Sequence, residues 1–382
     1  METEQNKSRF AAIILGVLAF FFTLVSATLV FWIAGTVASA DARAEVDDLV
    51  ADPLPGYERN INNLTSGTLE GLIVIPKRYQ LAEDITVAPK PDADKFGGSA
   101  DPADTVPVIA AAAGLLDGQD MIWSPDKEIM PGSNVLWYLD DTILSVTWKQ
   151  VIGGSVYSMS EVRIADASQF RRYLADDTFA APVQYRSTEM ARAVNSVVAL
   201  SGDYYKFRGY GIVAYRRTLH RAEGQVLDTC FVDGNGDLKF VRRGTLTSRE
   251  EMEQYISEND ILFSLSFGPV LVENGENVVP SSYAVGEITQ TYSRSVICQL
   301  GELHYLLVTV NREGAYNQVQ TLSSVAEALV SMGVPTAYTL DGGQTATLVM
   351  DGNLFNNVNY GSERYISDIL FFATAIPEEA ER

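Results

Sequence analysis

The chain has 382 residues, with 28 Lys and Arg against 49 Asp and Glu, a net charge of −21. That length holds one large domain or two ordinary ones, and a composition 47% hydrophobic builds a real core rather than a disordered polymer. An acidic chain without a basic patch repels phosphate backbones, which excludes general nucleic-acid binding, and the lack of HExxH, GxxxxGK[ST] and GxSxG excludes zincins, P-loop NTPases and ordinary α/β-hydrolases.

From Phe10 to Ala40 there is no charged residue. The apolar run Phe10–Gly35 exceeds the roughly 20 residues that a helix needs to cross the hydrocarbon. Lys7 and Arg9 precede it and Asp41, Glu45, Asp47 and Asp48 follow. Positive charge is retained inside, so the bulk of the chain is expected outside the cytoplasm. Ala38-Ser39-Ala40 resembles a signal-peptidase site, but the run is longer than a signal core of about 7–15 residues. The reading is therefore an uncleaved anchor at the cell membrane: a cytoplasmic tail over 1–9 and a span over 10–36. Secretion after cleavage behind Ala40 is the alternative.

Residues 37–133 read as a stalk with a small accessory region. A short, weakly amphipathic helix is expected over Asp41–Asp52. Ala88–Asp104 is rich in Pro, Gly, Ala and Asp and reads as linker or irregular cover. From Asn134 the texture changes, and 134–377 reads as one domain. Thr142–Val151 is β-branched and apolar, and Glu161–Ile164 alternates, so both predict strands. Asp166-x-x-Gln169 has the capping-box pattern and predicts a helix over SQFRRYLA. Ser187–Ala199 reads as a helix running into a strand. Asp233-Gly234 with Asn235-Gly236, Asn274-Gly275 and Asp351-Gly352 each sit between apolar runs and predict hairpins. In Thr321–Met332 the apolar residues Leu322, Val325, Ala326, Leu329 and Val330 fall on one helical face, closed by Gly333. Strands are expected over Val334–Leu340, Thr345–Met350 and Tyr365–Thr374. The fold class is α+β: a mixed, largely antiparallel sheet with flanking helices, preceded by one N-terminal transmembrane helix. Cys230 and Cys298 are too few for a disulfide scaffold; they read as two buried thiols, with a single bridge as the alternative outside the cell.

The carboxylate of Asp341 stands at a strand end, followed by Gly342 and Gly343, whose lack of side chains lets backbone N–H groups approach a ligand. The competing reading is a tight turn with a solvated Asp. The same pair of readings covers Ser201-Gly202-Asp203, where Asp203 can simply cap a turn. Arg294 lies in a strand pattern, where an inward arginine is costly unless paired or serving an anion. Glu363-Arg364 precedes the last strand and reads alone as a surface pair worth little. Asp233-x-Asn235-x-Asp237 opens like a calcium loop, but Leu238 and Gly244 stand where Gly and Glu are needed. It reads as a hairpin turn, and calcium rests on weak analogy only. No cofactor is required.

Taken in order, these blocks resemble the phosphodiester glycosidase family. The residues that carry the resemblance are TLSSVAEALVSMGVPTAYTLDGGQTATLVMDGNLFN, GSERYISDILFFATA, SGDYYKFRGYGIVAY, Gly268-Pro269-Val270-Leu271-Val272 with Gly275, and Arg294 in YSRSVIC. They span about Thr142 to Ala375. Ser201 replaces a family Asn, and Gln344-Thr345 replaces a family Gly-Ser.

The resemblance implies cleavage of a sugar from a phosphodiester at the anomeric C–O bond. The phosphate leaving group is already acidic and needs little general-acid help, so the site must supply an anion cradle and a carboxylate. Arg294 and Arg364 suit phosphate oxygens. Asp341 is the expected catalytic carboxylate, as nucleophile or as base for water, with Asp203 and Glu363 behind it. Gly342, Gly343, Gln344, Thr345, Asn356, Ser201 and Gly202 are the expected substrate-binding positions. No metal ligand is expected. The implied partner is a carbohydrate phosphodiester or glycan, met in envelope or extracellular polysaccharide metabolism. A non-catalytic glycan-binding module in surface polysaccharide assembly is the alternative, favoured by the departures at Ser201 and Gln344.

Overall fold

Alternating β-branched and aromatic residues make strands, and strands dominate the computed structural model, which describes residues 80–82, 85–284 and 288–376. In chain order the first strands are β1 Phe96–Ser99, β2 Val135–Leu139, β3 Ile143–Ile152, β4 Ser155–Ile164, β5 Phe170–Leu174 and β6 Val198–Ser201. Next come β7 Gly211–Tyr215, β8 Thr218–Glu223, β9 Thr229–Asp233, β10 Leu238–Val241, β11 Ile261–Leu265, β12 Val270–Glu273 and β13 Glu276–Asn277. The last are β14 Arg294–Gly301, β15 His304–Asn311, β16 Thr336–Leu340, β17 Leu348–Met350, β18 Asn353–Leu354 and β19 Asp368–Phe372. The α-helices are short: α1 Val106–Ala111, α2 Ala113–Leu116, α3 Ser187–Ala193, α4 Arg249–Glu258 and α5 Leu322–Ser331.

The strands form three sheets. One has nine strands in the order β1-β2-β3-β4-β15-β14-β16-β12-β13; two have five, β10-β9-β11-β7-β8 and β18-β17-β6-β19-β5. Among the described residues every strand pairing is antiparallel, so the sheets are purely antiparallel rather than mixed. The three expected hairpins are present as β9–β10, β12–β13 and β17–β18.

All three sheets give one face to a shared core. Ile297, Leu307 and Leu340 come from the nine-stranded sheet, Val213 and Leu265 from one small sheet, and Leu200, Leu348 and Phe372 from the other. Strand alternation sends Val296, Cys298, Leu306 and Val308 to the opposite face, where Leu322, Val325 and Leu329 of α5 cover them. Each such side chain contributes about 1.5–3 kcal/mol on burial. α5 starts where Thr321 Oγ1 accepts from Ser324 N and ends before Gly333, which takes φ +85°. α3 covers the outer face of the β6 sheet and α4 that of the β9 sheet. Cys230 and Cys298 are free, buried thiols belonging to different cores, one on each face of the nine-stranded sheet's layer.

Two expectations change. The Asp166 capping box is real, but it opens only the turn Ala167–Gln169, and the chain then enters β5. Phe170 and Leu174 face the shared core while Tyr173 packs outward, a period of two, and β19 supplies the pairing partner. Residues 88–104 are not merely cover: Phe96–Ser99 pairs with β2 and extends the large sheet. The expected membrane span and the Asp41–Asp52 helix lie outside the described residues. Among the described residues no helix is long and apolar enough to cross a membrane.

Candidate active site

β14 and β16 are paired with Ser295 opposite Leu340, so Arg294 and Asp341 stand side by side at the same end of the sheet. The C-terminal end of β6 meets them there. Asp341 N donates to Gly202 O at 3.3 Å, and the hydroxyls of Ser201 and Ser295 lie 3.3 Å apart. Arg294 is buried and Asp341 half-buried. The Arg294 guanidinium lies over the Tyr292 ring at 5.6 Å and donates to Gln290 O.

The two glycines after Asp341 shape the corner. A Cβ on Gly342 would come within 2.3 Å of Ser293 O, and Gly343 takes φ +66°. Gly343 N donates to Ser293 O at 2.7 Å, so that amide is engaged by the protein rather than offered to a ligand. Thr345 closes the turn through Oγ1 onto Gly342 O, and Gln344 Nε2 reaches Ser362 O at 3.0 Å. This last bond ties the Asp-Gly-Gly corner to the loop that carries Glu363 and Arg364.

Several expected site residues are committed to holding that corner. Asp203 is enclosed: Arg172 Nη2 lies 3.0 Å from its Oδ1, which also accepts from Tyr205 N, and Oδ2 accepts from Ser266 N. Arg172 also binds Asp368 at 2.7 Å, and all three side chains are fully buried. Burial opposes the Arg172 charge, and Asp203 and Asp368 outweigh that, so its pKa is raised. Asp368 Oδ2 sits where a Cβ on Gly202 would go, 2.0 Å away, which is why glycine is needed there. Asp203 therefore anchors the loop instead of facing a cleft. Glu363 is likewise engaged: it accepts from the Ser187 hydroxyl, from Thr188 N and from Thr188 Oγ1, capping the start of α3. Asn356 is buried and bonded to Leu348 N, Ala346 O and Asn311 Oδ1, so it orders the loop after β17.

Arg364 is exposed and stacks over Tyr204 at 5.6 Å and Phe207 at 5.3 Å. Beside it stands Arg208, which the sequence reading does not single out. Its guanidinium lies over Phe267 at 4.4 Å and Tyr204 at 5.1 Å. Its Nη1 is enclosed without a protein acceptor, an arrangement that an anionic oxygen would complete. The signal was in YYKFRGY, where aromatic and basic residues alternate just after Gly202-Asp203. Cavities elsewhere, one of about 340 Å³ beside Phe170 and Arg172 and one of about 680 Å³ beside Asp237 and Glu302, are not lined by Asp341, Arg294 or Arg364. The Asp233–Asp237 segment is a hairpin turn whose Asp233 carboxylate accepts from Asn235 N and Asp237 N.

The site is thus a carboxylate beside a buried arginine at the meeting of strand ends from two antiparallel sheets, with Arg364 and Arg208 held on the rings of Tyr204, Phe207 and Phe267 in the adjoining loop. Residues 194–373, just under half of the chain, match the family model described as phosphodiester glycosidase, and the resemblance to that family is shown over this stretch. No curated protein matches. Among solved structures the chain is similar to the zebrafish N-acetylglucosamine-1-phosphodiester α-N-acetylglucosaminidase catalytic domain auto-inhibited by its pro-peptide. The identity is 18%, over 61% of this chain and 84% of that one, with a TM-score of 0.49. It is also similar to a hypothetical protein from Synechocystis, at 14% identity over 60% and 62% of the two chains, with a TM-score of 0.44.

Proposed function

We propose that the chain is a membrane-anchored, extracytoplasmic glycosidase that hydrolyses a sugar-1-phosphodiester in envelope or extracellular polysaccharide metabolism. The observation that carries this reading is the adjacency of Asp341 and Arg294, with Arg364 and Arg208 held on neighbouring rings. The family match supports a hydrolase of phosphodiester glycosides. The anchor and the setting rest on the uncharged run from Phe10 to Ala40 and the basic residues before it.

In this reading the arginines hold the phosphate oxygens through planar, charge-assisted hydrogen bonds. The bond between the anomeric carbon and the phosphate oxygen breaks, and its electron pair leaves on the phosphomonoester. Asp341 either attacks the anomeric carbon or takes a proton from the attacking water. Water supplies the hydroxyl of the released sugar and the proton balance. Asp203, Glu363 and Asn356 act as positioning residues.

The second reading, a glycan-binding module without catalysis, is favoured by Ser201 and Gln344, whose side chains serve internal contacts with Ser295 and Ser362. A panel of sugar-1-phosphodiesters separates the two. Free sugar and phosphomonoester are expected from the native chain, and Asp341→Asn is expected to slow release about 10²–10⁴-fold. An Asp341→Asn variant with full activity would sink the assignment of the carboxylate. Glycan binding with no release across the panel would favour the module.

A further inference from the structure

Six large hydrophobic side chains are exposed among the described residues, and five of them are aromatic: Phe207, Tyr210, Tyr292, Tyr360 and Tyr365. All five stand in the three segments that carry the site: 204–210, beside Gly202; 290–293, before Arg294; and 359–365, around Arg364. The sixth, Val106, lies on α1, outside these segments. Exposed rings gathered in this way mark a binding surface. Tyr360 is the extreme case: it is 89% exposed and takes φ +64°, a conformation that a bulky residue rarely adopts. Ser293 Oγ donates to Asn359 Oδ1 at 3.0 Å, which ties that turn to the strand end bearing Arg294.

Four of the rings pair with a guanidinium. Arg364 lies over Phe207, Arg208 near Tyr210, Arg294 over Tyr292 and Arg186 over Tyr365, all within 6 Å. On a chain of net charge −21 this sets a cation against exposed rings in each of the three segments. Flat apolar ring faces match the C–H faces of pyranoses, and the guanidinium forks match phosphate oxygens. A lone sugar diester would occupy only the corner at Asp341.

We infer that this belt of arginines and aromatic rings binds an extended, phosphate-bearing glycan, so that the substrate is a chain of several phosphodiester-linked sugars rather than a single sugar diester. The inference rests on the phosphodiester glycosidase reading for its cleavage site but not for its binding surface. Oligosaccharides of one to six phosphodiester-linked repeats test it on the full-length chain in mild detergent. kcat/KM is expected to rise about tenfold from one repeat to six, mainly through KM. Tyr360→Ala with Tyr365→Ala should flatten that rise, and Val106→Ser should keep it. Hydrolysis of single repeats with no gain on longer ones overturns the belt and leaves the cleavage reading standing. If no length is hydrolysed, the cleavage reading falls, and calorimetry of the same series on the Asp341→Asn chain decides the belt. Affinity that climbs with repeats supports it and flat affinity overturns it. Equal or tighter binding of a single-stranded oligonucleotide, or of an unphosphorylated glycan of the same length, also overturns it.

Discussion

Arg364 is exposed, and aromatic rings rather than an acid hold its guanidinium. Removing it leaves no buried charge behind, so the fold should survive. Arg364→Ala is expected to raise KM for a phosphodiester about tenfold with a smaller effect on kcat, and Arg364→Lys should not restore it, because an ammonium lacks the planar fork. Unchanged steady-state kinetics in both variants would remove Arg364 from the anion cradle. Gly342 is a different kind of residue. A Cβ there would stand 2.3 Å from Ser293 O, a backbone atom that cannot swing aside. Gly342→Ala should therefore lower both the melting temperature and kcat/KM, and a variant with both intact would show that the corner yields. The types of residue at this site were legible in the sequence, since Asp341, Arg294 and Arg364 lie in recognisable blocks. The division of labour was not. Nothing in Ser201-Gly202-Asp203 says that its carboxylate will be spent on a buried Arg172 from a distant strand, and Arg208 lies in an aromatic run that reads equally well as core.

α5 was legible because its apolar spacing has one interpretation and both ends carry caps. β5 was not, because the capping box is a local signal and the strand is decided by a distant partner, β19. That pairing places Arg172 inside the protein, where Asp203 and Asp368 are its partners. Burial pushes the Asp368 carboxyl up to about 7, with Arg172 opposing and Asp203 adding to the rise. In the unfolded chain the group returns to its ordinary value of 3.8. Between those two values the folded state keeps the proton and the unfolded state has lost it. This carboxyl's contribution to stability is thus fully present below about pH 4 and falls as pH rises towards about 7. Asp368→Asn removes the titration while keeping the shape. The melting temperature of the native chain relative to the Asn variant should drop by several degrees from acid to mildly alkaline pH, as read by thermal unfolding at several pH values. A difference that stays constant with pH would show that the carboxyl keeps its charge throughout.

At the scale of the whole molecule the candidate site belongs to no single sheet: Asp341 and Arg294 come from the nine-stranded sheet, and Gly202 and Asp203 follow β6 of a smaller one. Its geometry therefore depends on the core that the sheets share, and that core is built from more of the chain than the change of texture at Asn134 suggests. The residues before 134 contribute β1 to the edge of the large sheet and Trp123 to its outer core. Trp123 is 2% exposed, packs on Trp148 with ring centroids 5.0 Å apart, and donates Nε1–H to Thr105. Its backbone N–H and that of Ile122 donate to the fully buried Glu161 carboxylate, which also meets His304 Nε2 at 2.8 Å. A chain begun at Asn134 would strip β1 from β2, uncover Trp148 and take two donors from a buried carboxylate. Losing the partners of a buried charge costs on the order of 3–5 kcal/mol. Emptying the Trp123 site in the full chain, Trp123→Ala, costs about as much by itself, roughly 3–5 kcal/mol. Urea unfolding should therefore place the midpoint of a chain begun at Asn134 well below that of one begun at Gln80, with Trp123→Ala in the full-length chain shifted in the same direction. Coincident midpoints would mean that residues 80–133 are a detachable cover, and that the sheets hold the site without them.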